Sequence, residues 1–568
     1  MKLVDAIKAR FGRKATRGPS KAGTAAGGKA QDAATAQAAS SPAPAIPSVL
    51  TGKLVYSPPA GPGLPPTIHV STRFAGSPVF LTWLHDISLG AVPPQVHSVS
   101  VRELDILRMA AHAGKSGGAT GRFQMQFFAR QLIADCAAVG GSDLHVLTRD
   151  SFTELQLRVK GSLKTLGSPI YSMTKEEGQA LVRSIYTGLA TVKDATFNPL
   201  EFQDAQISGD DLPSRDLSSV RIIRGPCHPV ETGGGFLVAR LQYPSGRKID
   251  AAERAAASER LGLRAPEKPA GEFRLGSMGY TPQQLEMIER LLFRPMGLIV
   301  VSGPTGSGKT TTLFECTRHQ ARLFPAQRLI TIENPPEYPM EWALQLSTDS
   351  DSFQKMLRMT LRMDPNAILL GEVRGAGEAV AALQAAMTGH KVLTTLHVTD
   401  PFDTFSRLEM LDNVQLARPV ICNHHQVIGL IAQRIVPLLC PHCSVPLHEA
   451  EDQLPAHQMR ALASWGDLSR VRLRGQGCAH CNGEAIIAQQ AVAEVVVTDE
   501  QLMLDCIEYG VHVASRNHRS KPDADKRMIE HALDLVLAGR LDPVDAEQEV
   551  DEIPMRRPAD ERETALAV

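Results

Sequence analysis

The run Gly303-Pro304-Thr305-Gly306-Ser307-Gly308-Lys309-Thr310-Thr311 contains the spacing Gly-x-x-x-x-Gly-Lys-Thr, residue types suited to holding phosphate groups. Glycines without side chains let successive backbone N–H groups wrap the phosphate oxygens, and a helix starting just beyond them adds the favourable end of its dipole. In such a loop Lys309 is expected to reach the β and γ phosphates of a nucleotide, and the Thr310 hydroxyl to ligate Mg²⁺. The motif has meaning between a strand and a helix. Here the apolar run Leu298-Ile299-Val300-Val301 precedes it and a helical stretch follows.

A second constellation is built from sulfur. Cys440-Pro441-His442-Cys443 and Cys478-Ala479-His480-Cys481 are two Cys-x-x-Cys pairs 34 residues apart, a spacing that lets four thiolates meet one structural Zn²⁺. His442 and His480 sit inside the knuckles and read as bystanders. The remaining cysteines, Cys136, Cys227, Cys316, Cys422 and Cys506, are scattered and read as buried, inert thiols.

Three further strands must position any partners of the phosphate loop, and each ends in polar residues, where ligands of open parallel sheets bind. The run 329–332 ends in Glu333, Asn334 and Glu337; 367–370 ends in Gly371 and Glu372; 392–396 ends in His397. Glu372 is expected to orient or deprotonate an attacking water, Glu333 to help near Mg²⁺ and water, and His397 to hydrogen-bond the γ-phosphate and report its loss. Any one acid after a strand is more often a helix cap or surface charge. Their occurrence in this order behind a phosphate loop reverses that reading.

With 568 residues the chain is too long for one core and should divide into several domains. Lys plus Arg number 60 and Asp plus Glu 61, so overall charge points to no nucleic acid or acidic substrate, and no basic, aromatic stripe accompanies the segment that carries the phosphate loop. No stretch is apolar enough to span a membrane, and residues 1–11 lack a secretory signal, so a cytoplasmic location is expected.

Along the chain, residues 1–50 read as a basic amphipathic start and a disordered linker, and 51–121 as a small N-terminal domain without assignable chemistry, with strands near 67–70 and 79–83 and a helix over 101–113. Period-two alternation over 143–159, a helix near 175–191 and strands at 220–223 and 236–241 predict an α+β N-domain over 122–245. A linker is expected over 246–272, an α/β domain with a mainly parallel sheet over 273–436, a zinc-binding subdomain over 437–490, a helical region over 491–545 and an acidic disordered tail over 546–568.

The block 303–313, the run Thr331-Ile332-Glu333-Asn334-Pro335-Pro336-Glu337-Tyr338, the stretch from Leu361-Arg362-Met363-Asp364-Pro365-Asn366 into Gly371-Glu372-Val373-Arg374, and Thr388-Gly389-His390-Lys391 into His397 resemble the Walker A, Asp, Walker B and His boxes of the secretion ATPase superfamily of type II secretion and type IV pilus assembly. Gly141-Ser142-Asp143-Leu144-His145 and Arg158-Val159-Lys160-Gly161 resemble the same family's N-domain. The resemblance implies a RecA-like motor that hydrolyses ATP with Mg²⁺, a homohexamer, and N-domain arginines near the γ-phosphate, for which Arg221 and Arg240 stand in the family's positions. It also implies a peripheral place at the bacterial inner membrane, held by a polytopic platform protein, with no nucleic acid as partner.

In the family so resembled, such cysteine pairs accompany assembly-type members, so the resemblance implies filament or pseudopilus assembly ahead of the alternatives of a retraction or conjugative traffic ATPase. Asn334, Lys160 and Gly375 stand where the family has aspartates; Asn334 and Gly375 keep a third alternative in view, an ATP-binding scaffold with little hydrolysis.

Overall fold

The computed structural model describes residues 44, 46, 47 and 50–556, without 51–52, 60, 62, 73, 90–91, 100–102, 105–106, 109–116, 214–215, 248 and 349–351. The amphipathic start over 1–17, most of the helix expected over 101–113 and the last part of the acidic tail lie outside the described residues.

The first unit is a three-stranded sheet in which Thr67–Ser71 pairs antiparallel with Leu54–Ser57 and parallel with Gln95–Val99. The crossover between the parallel strands is the helix Pro78–Ser88, where a strand was expected near 79–83. Ser77 caps that helix by accepting from the Phe80 N–H, and Pro78 supplies a preset φ at its first position. These start signals outweigh the β-propensity of Val79 and Phe80. Phe80 and Trp83, spaced for one helix face, bury against Ile68 and Val70.

The second unit is a nine-stranded antiparallel sheet whose centre is formed by Phe152–Val159, Gly141–Thr148, Gly235–Gln242 and Ser219–Pro226. Helices Gly117–Ala138 and Lys175–Ser184 supply Ile133 and Leu181 to its core, against Leu144, Val146 and Leu237. The expectation of a plain linker after 245 is corrected here. Asp250 caps a helix, Ala251–Leu261, and Gly262 ends it at φ 58°, a conformation glycine adopts without strain. Ala257 and Leu261 are buried in the N-domain core, and Leu263–Arg264 extends its sheet by pairing with 165–166. An Ala-rich, charged run reads as linker by composition but makes a good helix, with small residues on the face that packs.

The third unit is the motor sheet. In chain order its strands are β1 (Gly297–Ser302), β2 (Leu329–Glu333), β3 (Ala343–Ser347), β4 (Ala367–Glu372), β5 (Lys391–Leu396), β6 (Val427–Leu439) and β7 (Ile486–Val497). Their order across the sheet is β3-β2-β4-β5-β1-β6-β7, parallel except for the final antiparallel pair. Alternate residues feed two cores: Leu298, Val300, Ile330 and Ile368 point to one face, Ile299, Val301, Leu329 and Leu369 to the other. Burial on both faces is what the continuous apolar runs dictate. The chain thus folds as a RecA-like α/β domain preceded by an α+β domain.

The N-domain grips the motor at the amino ends of its strands. Just before β4, Asp364 accepts from Arg158 and from His145 Nε2 at 3.2 Å, and Arg158 also reaches Asn366 Oδ1 at 2.8 Å. Arg149 donates to the carbonyls of Ala343 (2.8 Å) and Glu341 (2.9 Å) at the start of β3, and Arg328, preceding β2, donates to Gln156.

Beyond the motor, β6 and β7 run on as a long ribbon that carries the cysteine knuckles at its far end. Helices Met528–Leu537 and Pro543–Glu549 pack on the knuckle subdomain, with Leu462, Val471, Leu533, Ala546 and Ile553 sharing one core. The disordered tail expected from 546 is therefore corrected as far as 556. Asp542 caps the last helix, Ile553 is buried, and Trp465 Nε1 donates to the Pro554 carbonyl at 2.7 Å.

Candidate functional site

At the carboxyl edge of the motor sheet, neighbouring strands deliver Glu333 (β2), Glu372 (β4), His397 (just past β5) and the phosphate loop (just past β1) in that spatial order. Adjacent strands lie about 4.8 Å apart, so four sequence-distant segments meet within one nucleotide's length. β1 has β5 on one side and β6 on the other, which makes it the switch point of the winding, where a crevice opens.

The loop is built to let a ligand approach its backbone. Gly303 takes φ 149°, and a Cβ there would lie 2.5 Å from both the Gln433 carbonyl and Ser307 Oγ. Gly308, at φ 79°, starts helix α1 (Lys309–Leu323), whose first N–H groups have no partner within the helix. Ser307 Oγ is buried without a hydrogen-bond partner. Lys309 Nζ turns back on the carbonyls of Gly303 (3.0 Å) and Pro304 (2.8 Å), and burial lowers its pKa. Open N–H groups, an orphaned hydroxyl and an ammonium resting on loop carbonyls fit a polyphosphate chain.

Glu372 and His397 meet: His397 Nε2 lies 2.9 Å from Glu372 Oε1, and Arg374 Nε donates to the other carboxylate oxygen, also at 2.9 Å. Glu333 is buried, accepting from Thr331 Oγ1 at 2.5 Å and Gln345 Nε2 at 3.2 Å; desolvation raises its pKa against those two hydrogen bonds. Tyr338 stands over the loop, its hydroxyl 3.3 Å from Thr311 Oγ1.

Arg221 and Arg240 do not join this cluster. They face each other across neighbouring N-domain strands on an exposed surface, where Arg240 Nε binds Asp143 at 2.7 Å. Among the described residues no hydrogen bond or ion pair links either to the phosphate loop. Arg224, next along the strand, is buried over the Phe197 ring and donates to the Asn198 and Pro199 carbonyls, a packing role.

Sequence reasoning missed Gln433. Its Oε1 accepts from Tyr280 Oη (2.7 Å) and Thr312 Oγ1 (2.8 Å), and its Nε2 donates to the Ser307 carbonyl, so one buried amide ties β6, α1 and the phosphate loop together. The signal was a polar Gln433-Arg434 pair inside an otherwise apolar buried strand, where unpaired polar groups are costly.

Gly375 was marked as a departure from aspartate. It proves to be the N-cap of helix Ala376–Met387, with its N–H capped by Glu378 Oε2 at 2.9 Å. Lys160 is likewise a turn residue, at φ 51° before Gly161 at the tip of a hairpin.

The four predicted cysteines converge, their Sγ atoms all within 4.8 Å of one another. Three Sγ pairs stand at 3.8 Å, far beyond a disulfide. Four thiolates about 2.3 Å from one tetrahedral Zn²⁺ would be about 3.8 Å apart. Cys481 Sγ accepts from the N–H groups of Cys478 and Ala485, each at 3.2 Å, contacts that favour a thiolate at that position. The donor set fits zinc, with His442 and His480 outside it.

A phosphate loop at the switch point, with an acid and an imidazole on adjacent strand ends, defines a RecA-like P-loop nucleotide-binding protein. Residues 254–552, just over half the chain, match the family described as Type II/IV secretion system protein. The chain belongs to that family. It is 33% identical to Type II secretion system protein E of Klebsiella pneumoniae over 253 residues, 43% of this chain and 47% of that one. Type II secretion system ATPase E of Vibrio cholerae is 30% identical over 376 residues, 65% of each chain. Type IV pilus assembly ATPase PilB of Thermus thermophilus is 25% identical over 397 residues, 66% of this chain and 38% of that one. The chain spans about half the length of the curated relatives it matches. No helix among the described residues is long and apolar enough to cross a membrane.

Proposed function

We propose that this chain is an ATP-hydrolysing motor. In this reading it works as a homohexamer on the cytoplasmic face of the bacterial inner membrane and drives assembly of a type IV pilus or a type II secretion pseudopilus through a polytopic platform protein. The observation that carries the reading is the 2.9 Å contact of Glu372 with His397 beside the phosphate loop. The tetracysteine knuckle and the kinship with assembly and secretion proteins support the choice of assembly.

In this mechanism the residues from Gly303 to Thr311 cradle the phosphates through backbone N–H groups. Lys309 exchanges the Gly303 and Pro304 carbonyls for the β and γ phosphates. Thr310, with the buried Glu333 nearby, would hold Mg²⁺, which would supply neutralisation of phosphate charge. Glu372 accepts a proton from the attacking water, while His397 steadies that carboxylate and loses its reference point when the γ-phosphate leaves. Arg221 and Arg240 enter only if the N-domain moves or a neighbouring copy presents them.

The test is the steady-state ATPase rate of the wild type beside Glu372→Gln, with and without the cytoplasmic part of a candidate platform protein. Glu372→Gln should lower kcat by about a thousandfold while ATP still binds. Normal turnover in that variant would refute the assignment of the base, and tight ATP binding without hydrolysis in the wild type would favour a scaffold.

A further inference from the structure

We infer that Arg519, in the C-terminal helical region, is a positioning residue for His397, and through it ties the nucleotide edge to the C-terminal helices. The inference rests on the functional reading above. The backbone just after β5 runs His397-Val398-Thr399-Asp400 and then into helix Asp403–Leu411. A catalytic loop of this kind needs anchors, because its imidazole must hold its place whether or not a phosphate is present.

Two anchors are visible. Arg434, the buried neighbour of Gln433, donates Nη2 to the Thr399 carbonyl at 3.2 Å. Arg519 donates Nη2 to Asp400 Oδ2 at 2.6 Å, while Asp400 Oδ1 accepts from the Phe402 N–H at 3.0 Å. Arg519 is itself fixed. Its Nε and Nη2 fork onto Glu494 of β7 at 2.7 and 2.8 Å, its Nη1 reaches Ser515 Oγ at 2.9 Å, and its guanidinium lies 4.9 Å from the centre of the Phe402 ring.

Glu494 is 2% exposed and stands opposite Ala432, next to Gln433. A carboxylate so buried requires a cation, and a planar fork satisfies both its oxygens. Glu494 thus holds the guanidinium in place, and Asp400 gives it its hydrogen-bonded link to the loop, beside the packing of the guanidinium on Phe402. Arg519 closes helix Val511–Arg519, whose Val511 and Ala514 share the motor core with Leu502 and Cys506. Movement of the His397 loop therefore bears directly on that helix.

Asp400→Asn weakens the link from the loop side and leaves the Glu494 pair whole, so it carries the test even where substitution of Arg519 unfolds the protein. Arg519→Lys and the double variant complete the set. In the full chain, Asp400→Asn should lower kcat about tenfold with KM for ATP within about twofold, and the double variant should be no slower than the worse single. Without nucleotide, amides of residues 398–402 should exchange with deuterium about tenfold faster in Asp400→Asn than in the wild type. Wild-type kcat and exchange in Asp400→Asn, or a double variant slowed by the product of the single effects, would overturn the inference. Should the wild type not hydrolyse ATP at all, the functional reading fails, and the exchange measurement alone decides whether Arg519 holds the loop.

Discussion

Charged groups gather at both edges of the motor sheet, but they are held in different ways. At the carboxyl edge Glu372 and His397 are partly open to solvent, and Lys309 rests on two loop carbonyls that phosphate oxygens can replace. At the amino edge Asp364, Arg158, Arg328 and His145 are packed between two domains. Burial alone would raise the Asp364 carboxyl; the His145 hydrogen bond and the Arg158 guanidinium outweigh it and hold the pKa below the usual range. One edge has partners it can exchange, the other has partners it keeps. The proposed motor would need both, since work done at an exchanging edge is lost unless the opposite edge is held.

The comparison breaks first at Arg158. Arg158→Ala strips the half-buried Asp364 of the guanidinium beside it and should destabilise the fold by about 3 kcal/mol, read as a shifted denaturant midpoint. ATP affinity, set at the far edge, should stay within about twofold. A fall in affinity with an unchanged midpoint would show the two edges to be wrongly separated.

Acid sharpens the same contrast. His145 gives its Nε2–H to Asp364 and keeps a buried Nδ1 without a partner, so its ring stays neutral; burial, then Arg328, lowers its pKa to about 4. The unfolded chain protonates this histidine below about 6.5. Stability from His145 is therefore complete above that pH and is lost as pH falls toward 4, on the order of 3 kcal/mol. Glu494, pushed up to about 6 by burial, works in the opposite sense over part of that window. The pH profile of His145→Asn set against the wild type isolates the histidine, and identical profiles would contradict its neutral burial.

The smallest effect is expected at Gly375. Gly375→Asp restores a better N-cap to helix Ala376–Met387 but crowds Glu378, whose Oε2 lies 3.1 Å from the new Cβ. Stability should change by less than about 0.5 kcal/mol, with turnover within about twofold; a large rise in kcat would show that position to be part of the chemistry.

The phosphate loop, the strand ends and the cysteine pairs were legible in the sequence because each is a local pattern with a required setting. Gln433 and Asp400 were not, because their roles depend on which strand lies beside which, and β6 and β7 reach the nucleotide edge from more than a hundred residues downstream of the loop. The helices Pro78–Ser88 and Ala251–Leu261 were misread where propensity or composition was weighed ahead of a cap at 77 and at 250. Gly375 and Lys160 read in the sequence only as departures from aspartate, a residue that serves both as a reactive acid and in caps and turns; their places at a helix N-cap and a hairpin tip needed the backbone geometry.

The last described residues carry a practical lesson for anyone preparing this protein. Composition invites trimming the acidic end at 545, as one would trim a floppy tag. Such a cut truncates the helix led by Asp542 in its first turn, takes Ile553 out of the core it is buried in, and leaves the Trp465 indole N–H without its acceptor on Pro554. The shortened chain would expose the floor of the knuckle subdomain and be prone to self-association.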